Sequence, residues 1–431
     1  MSYIADVLED YIGEHADYLI KELSRENDEL LNEIGGIARK LWVPLNSMES
    51  AWPGKIGAVD GGSMSLRLDN GGALIITSAY GFCEDFEERL AECAIVYPPS
   101  TYYVSILRQK LELRVARKLI TKLGQRGLLL LDGSLYGLLS KPPITPIHAP
   151  SNYGSLLLDF YSEITNLLKE ASDNRVWLAS ISKVSSSRFM RDYAIYLIHQ
   201  KETERLKNSY NLEPKDLRSV ETLLYELFRS PMKAFVTVKR LKAKYGIIMK
   251  KIELIAREVL IKTPDLFLLK HYTEGVGYTK PLLLGPSSRL RDSYNNAISD
   301  PQGYTVRRLL LAEEYSNKVR EILQGMMTAD AIASFYVRLN HLDHPLKVDM
   351  PVSNLGLHRN FFDVSMPEFL ENIDIDELIL SLKAMYGNKE VYNVWLYEAD
   401  RRARLQKEDL KTLIEILERK LGPVELARRA L

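Results

Sequence analysis

Two short runs, KIGAVDGGS (Lys55 to Ser63) and GLLLLDGSLYG (Gly127 to Gly137), carry an apolar strand pattern straight into Asp-Gly. Each sets one carboxylate, Asp60 and Asp132, at the end of a strand. Between them LRQKLELRVARKLI (Leu107 to Ile120) has helical spacing and a single acid, Glu112, among basic neighbours. Carboxylates converging from separate elements make an all-oxygen cage, which suits manganese or magnesium. Two such ions meet the needs of in-line phosphodiester hydrolysis, activating the attacking water and neutralising the leaving oxygen. Gly after each Asp allows backbone, metal and phosphate to approach closely.

Taken singly, each feature has a plainer reading. Asp-Gly after a strand is a turn, and a lone Glu on a basic helix face makes i,i+4 pairs. All three acids in order, inside one compatible strand pattern, point instead to a metal-binding triad.

The elements that must position the acids follow from the alternation of the central region. Lys55–Val59, Ser63–Leu68 and Ala73–Ser78 read as strands, the last two joined by the hairpin signal Asp69-Asn70-Gly71-Gly72. A helix over 102–124, a strand over 127–132, a helix over 151–173 and a strand over 176–182 follow. Three antiparallel strands, helix, parallel strand, helix and strand is the ribonuclease-H-like order, covering roughly residues 55–185. Helical patterns over 3–43, with a break at Gly35-Gly36, precede it. Residues 186–262 read as mostly helical and rich in Lys and Arg. GVGYTKPLLLG (Gly275 to Gly285), a helix over 306–325, a hairpin of Ala333–Asn340 and Leu346–Pro351, and helices near 366–384, 388–403 and 406–429 complete the chain. The expected fold is α/β: a ribonuclease-H-like mixed sheet flanked by helices, with N-terminal helices, a helical insertion and C-terminal helices. The expected division is 1–50 (N-terminal helical segment), 51–190 (core), 191–265 (helical insertion) and 266–431 (completing the core and active site).

Composition narrows the class. The 431-residue chain is 46% hydrophobic and 26% charged, ordinary for a globular protein, and its formal net charge is zero. No global field draws it to nucleic acid, so any such affinity must be local. Cys83 and Cys93, its two cysteines, offer no structural zinc set and read as buried or free thiols, with a disulfide as the alternative. Acids from the first residues exclude a signal peptide, and no apolar run reaches membrane-spanning length, so no membrane association and a cytoplasmic location are expected.

The ordered acids and their flanks resemble the NurA family of archaeal and bacterial DNA nucleases. The resemblance rests on AVDGGS (58–63), LLLLDGSL (128–135) and Glu112 between them. It continues in SISKVSSSRF (180–189), DLFLLKHYTEGVGYTKPLLL (265–284), FYVRLN (335–340) and LKVDMP (346–351), across most of residues 55–405. It implies manganese- or magnesium-dependent DNA cleavage, as an exonuclease from 5′ ends and an endonuclease on single strands. It also implies a homodimer docked on a hexameric HerA-type ATPase that drives DNA through it during end resection for recombinational repair. Asp60, Glu112 and Asp132 would be the metal ligands. The family closes the site near the C-terminus with a Tyr and, further along the same helix, a His following Ala. In VYNVWLYEADRRARL (Val391 to Leu405), Tyr392 fits the Tyr and Asp400 stands where the His is expected. Asp ligates manganese at least as readily, which makes Asp400 the fourth candidate ligand, with Glu398 as a substitute. The plainer reading of Asp400 is a surface acid beside Arg401, Arg402 and Arg404.

Several further residues carry weaker signals. Lys183, just past a strand, is placed to neutralise a phosphate. Arg188 and Arg191 are candidates for DNA backbone contacts, and Tyr102, Tyr103 and Phe189 for base stacking, against core packing. The HLDH turn (His341 to His344) reads as a solvated turn rather than a metal site. The basic stretch Lys239–Lys251 reads as a solvated face or a DNA or partner surface. Apolar residues of the N-terminal helices are candidates for docking the ATPase. Two other classes compete with the nuclease: a catalytically silent DNA-binding or clamp subunit of the same complex, kept alive by Asp400, and an actin-like ATPase. The latter needs a second phosphate turn in another lobe, and DGSL at 132–135 comes too soon for that.

Overall fold

The strand that carries Asp60, β1, runs unbroken from Ile56 to Arg67. It pairs along its length with antiparallel β2 (Ala73–Cys83), from Gly57 opposite Cys83 to Arg67 opposite Ala73. The two strands expected on either side of Asp60-Gly61-Gly62 are therefore one. Neither glycine departs from extended backbone, so the pair continues the ladder rather than breaking it. The turn at 69–72 forms as expected, with Gly71 at φ +83° and its N–H donated to Leu68 O.

The acid-rich segment after Cys83, to which the sequence pattern assigns no element, is β3 (Phe86–Val96). It is the outermost strand on its side of the sheet, and its residues alternate between half-buried and exposed. Charged side chains suit such an edge, where unpaired backbone invites another strand. Cys83 is buried, Cys93 is exposed, and both are free.

Helix α1 (Thr101–Leu123), capped by Ser100, leads to β4 (Leu128–Asp132), then α2 (Tyr153–Asn174) and β5 (Trp177–Ser182). β4 runs parallel to both β1 and β5. Beyond β5 the sheet is extended by β6 (Gly277–Thr279), β7 (Leu282–Leu284), β8 (Ile332–Arg338), β9 (Leu346–Pro351) and β10 (Glu368–Phe369). Its main order is β6-β8-β9-β5-β4-β1-β2-β3, with β7 joining β10 to β8. α1 and α2 cover one face, burying Val59, Leu129, Leu131 and Leu178. The other face, with Ala58, Leu130, Ile181 and Val348, lies under the helix Asp376–Ala384 and α3 (Val394–Ala403). The C-terminal helix α4 (Lys407–Leu421) places Leu413, Ile414 and Leu417 on Leu66, Leu68, Leu74 and Ile76.

Three of the expected C-terminal helices are shorter. The run 306–325 begins only at Ser316, because Leu310 takes a left-handed conformation after the short helix Pro301–Arg307. The run 366–384 starts at Asp376, after β10. Asn393 caps α3 through the Trp395 and Leu396 N–H groups, so Tyr392 precedes the helix rather than riding on it.

The structure, a computed structural model, describes residues 28–45, 50–146 and 148–422, with positions 8, 9, 11, 12, 15 and 16. By packing the chain forms two units, 44–184 with 276–431, and the described part of 1–43 with 185–275. The second is helical. In it Gly35 lies inside the helix Glu29–Leu41, where a Cβ would stand 2.2 Å from the Tyr272 ring, so the expected break is instead a close packing contact. The expected helical start at 3–27 falls largely outside the described residues, as do positions 423–429.

Candidate active site at the end of beta 4

The site forms where β4 stops and β1 continues. The parallel ladder runs as far as Val59 opposite Leu131, so the next residues, Asp60 and Asp132, stand side by side where it ends. Asp60 is thus not at the end of its own strand; it is the end of its neighbour that exposes it. Strand alternation turns Asp60 toward the α3 side and Gly61 toward α1. The missing side chain of Gly61 is what admits Glu112: a Cβ there would stand 2.4 Å from Glu112 Oε1 and 2.8 Å from its Cγ. Gly62 does the same for α3, since its Cβ would meet Ala403 O at 2.4 Å. The Ser78 hydroxyl donates to that carbonyl at 2.6 Å, fixing the end of α3 against the sheet. The expected close approach of backbone is seen at Gly62, where it comes from Ala403, and at Gly61 the group that approaches is the Glu112 side chain.

Asp60, Glu112 and Asp132 line one cavity of about 250 Å³ together with Arg108, Ser134 and Lys141. Asp60 is 7% exposed and accepts the Gly61 N–H at 2.6 Å. No cationic side chain pairs with it among the described residues. Burial, then the Asp132 and Glu112 charges, push its carboxyl up to about 8. Glu112 lies 3.4 Å from Arg108 Nε, the i,i+4 pair of the plainer reading, yet it also faces the cavity. Burial raises it to about 7 against the opposing pull of Arg108. Asp132 is exposed in surface area, yet desolvation by the protein around its carboxyl raises its pKa, while the Tyr392 hydroxyl and Lys183 oppose the rise.

Tyr392 donates its hydroxyl to Asp132 Oδ1 at 2.9 Å, and Lys183 Nζ lies 4.4 Å from the centre of the Tyr392 ring. Burial and the adjoining acids hold the Tyr392 hydroxyl well above the ordinary tyrosine value, so it stays a donor. Asp400 is felt as a like charge by Asp60 and Asp132, but its own carboxylate accepts from Arg404 Nε at 3.0 Å. Glu398 is committed to Arg401 and Arg402, at 2.8 and 2.6 Å.

Behind Asp132 lies a group that sequence reasoning missed. The Ser134 hydroxyl donates to Asp349 Oδ2 at 2.5 Å, the Tyr136 N–H reaches the same oxygen at 3.2 Å, and Lys347 Nζ pairs with Asp349 Oδ1 and reaches Ser134 Oγ at 3.1 Å. Lys347 and Asp349 are each 1% exposed. Their spacing in LKVDMP, two apart on a buried strand, places them on one face, a signal the sequence carried. The group anchors the turn at Gly133, which adopts φ +107°.

The family model for the NurA domain matches residues 54–405. The chain belongs to the NurA family. Among solved structures it is similar to the NurA nuclease from Sulfolobus solfataricus, at 15% identity over 98% of each chain with a TM-score of 0.51, a likeness of fold. A crystal structure of NurA with manganese is 17% identical, over 95% of this chain and 98% of that one, with a TM-score of 0.45. No curated protein matches the chain.

Other expected contacts in this NurA-family chain fall elsewhere. Arg191 is fully buried, ion-paired to Asp192 at 2.6 Å and to Glu258 at 3.4 Å, so it is not a DNA contact. Arg188 is half-buried at the start of the helix Phe189–Ser209. Tyr103 is a core residue whose hydroxyl accepts from Asn152 at 2.8 Å, while Tyr102 is exposed and Phe189 half-buried. Much of the basic stretch is paired rather than merely solvated: Lys242 with Glu253, Lys244 with Asp216, Lys250 with Glu29 and Lys251 with Glu33. The 341–344 segment is a turn whose Asp343 accepts from Tyr386 at 3.0 Å. No helix among the described residues is long and apolar enough to cross a membrane.

Among the described residues, no three His, Cys, Asp or Glu side chains already form a cage for a metal ion. Glu112, Asp132 and Asp400 are each turned to a protein partner. The donor set is nonetheless all oxygen, and Asp60 is a buried acid without a cation, crowded by like charges. A hard divalent ion suits both features.

Proposed function

We propose that the protein is a divalent-metal-dependent DNA nuclease that hydrolyses phosphodiesters with manganese or magnesium. The observation that carries this reading is the approach of Asp60, Glu112 and Asp132 to one cavity, with Tyr392 bonded to Asp132 and Asp400 near enough to act on Asp60 and Asp132 as a like charge. These four acids, Asp400 included, would hold the metal, which when bound supplies water activation and charge neutralisation for in-line displacement. The chain's own contribution is positioning. Gly61 lets Glu112 reach the sheet, Tyr392 fixes the Asp132 carboxylate by one oxygen, and the buried Lys347–Asp349 pair holds the backbone just after it. Lys183, over the Tyr392 ring, would meet a phosphate as a point charge.

Family membership supports the rest of the reading: 5′ to 3′ exonuclease and single-strand endonuclease action in DNA end resection, as a cytoplasmic homodimer working with a hexameric HerA-type ATPase. Cleavage of labelled single-stranded DNA in manganese, compared with an Asp60→Ala control, tests the chemistry. Equal rates would defeat the nuclease reading. Co-purification with such an ATPase and light scattering of the purified chain test the assembly.

One observation favours a second reading, a catalytically silent DNA-binding or clamp subunit of the same complex. Asp400, where the family is expected to place His, is occupied by an ion pair to Arg404. DNA retention without cleavage in manganese would select it.

A further inference from the structure

Two cations share the carboxylates' cavity, and among the described residues their one ion pair is that of Arg108 with Glu112. Arg108 and Lys141 line it together with Asp60, Glu112 and Asp132. Arg108 stands one helical turn before Glu112, its Nε 3.4 Å from that carboxylate and its Nη1 3.3 Å from Gly61 O. Lys141 arrives half-buried from the segment after the short helix Leu135–Leu139. Burial first, then repulsion from Arg108, hold its ammonium below the ordinary lysine value, and Glu112 opposes both. Glu112 faces both cations and Asp132 faces Arg108, so carboxylates that serve a metal leave the two cations to another anion.

The other basic residues on the next turns of α1 are already committed. Arg114 pairs with Glu163 at 2.7 Å, and Arg117 with Glu163 and Glu170 at 2.7 and 2.6 Å. Of these arginines, Arg108 is the one turned into the cavity. Lys183, over the Tyr392 ring, lies on the Asp132 side of the acids. Positive charge therefore flanks the carboxylates on two sides, an order that matches a polyanion laid across them.

We propose that Arg108 and Lys141 form a phosphate-binding subsite, which takes a backbone phosphate of the DNA strand next to the phosphodiester lying at Asp60, Glu112 and Asp132. The proposal takes its ligand from the nuclease reading. Arg108 offers a planar fork of N–H donors and Lys141 a compact charge, so together they fix both position and orientation of the phosphate. No base is read there, so the subsite is indifferent to sequence.

The test is binding rather than turnover. Anisotropy of a labelled single-stranded oligonucleotide, with chelator and over a range of KCl, gives the slope of log affinity against log salt. On a single strand, each phosphate that the protein no longer neutralises lowers that slope by about 0.7. Lys141→Gln and Arg108→Gln are each expected to lower it by about that amount, and Lys141→Arg to restore it. Lys141→Gln leaves the Arg108–Glu112 pair in place and so guards against loss of folding in the other variant. Slopes equal to the parent's in both Gln variants would overturn the proposal. Manganese-dependent cleavage by the parent against Asp60→Ala, run alongside, separates the two readings. Cleavage with unchanged slopes sinks the subsite alone, and lowered slopes without cleavage keep the subsite and sink the nuclease.

Discussion

Asp60 has the least help of the four acids, and its neighbours make it worse. With its carboxyl pushed up to about 8, the folded chain holds a proton that the unfolded chain releases near pH 4. Between these values the folded state binds more protons, so the metal-free protein loses stability as pH rises through that window and changes little above it. Asp60→Asn is expected to flatten this decline and to raise the metal-free melting temperature at pH 8 by on the order of 1–3 °C, while abolishing cleavage. A melting series in chelator from pH 5 to 9 checks it; a steeper decline in the variant would be the wrong sign. Tyr392→Phe removes the single donor to Asp132 without removing an acid, and about 10–100-fold loss of activity or metal affinity is expected, read by manganese titration. Asp60, Glu112 and Asp132 were legible in the sequence because each stands in a short local pattern. Lys141 was not, because it comes from a loop with no motif of its own, and Lys347 and Asp349, though two apart in LKVDMP, gave no sign of which site their strand would reach.

The elements around the acids are fitted by absences. Gly61→Ala places a methyl where Glu112 Oε1 lies 2.4 Å away. Because Glu112 is a long side chain, it can swing aside, so activity is expected to fall at least about 10-fold with a small change in melting temperature. Unchanged activity would show that Glu112 need not lie there. The Lys347–Asp349 pair behaves oppositely. Lys347→Ala strands a buried carboxylate at a cost of about 3–5 kcal/mol, whereas removing both charges with Met and Leu is expected to recover most of it; urea unfolding distinguishes the two. The sequence did anticipate α1, α2, β4, β5 and the β8–β9 hairpin, whose apolar spacing is regular. It divided β1 because consecutive glycines look like a break, and it passed over β3 because an edge strand with charges lacks an apolar signature. The residue-by-residue pairing of β1 with β2 reveals the first, and that of β2 with β3 the second.

On the scale of the whole molecule, a chain with no net charge carries its positive groups in places rather than as a field. Most of the cations that looked available in the sequence are spent on internal acids, and those left at the cavity flank the carboxylates. The unit that holds the site is itself discontinuous, 44–184 and 276–431, with 185–275 belonging to the other. The three acids and strands β1 to β5 come from the first of these stretches, and β6 to β10, Tyr392 and Asp400 from the second. A chain ending at residue 390 is therefore expected to keep Asp60, Glu112 and Asp132 but to cleave at least about 10-fold more slowly than the full chain. Cleavage assays on that truncation, with circular dichroism to confirm its folding, test this; equal rates would release Tyr392 and Asp400 from any role.

The hydrogen bond between Ser78 and the carbonyl of Ala403 spans 325 residues, and that distance orders events in time. During synthesis the strands bearing Asp60 and Asp132 leave the ribosome long before α3 exists. Until α3 emerges, a nascent molecule lacks the helix that Ser78 fastens to the sheet. On the proposed function, Tyr392 and Asp400 are the last of the site's groups to be made, and cutting waits for them.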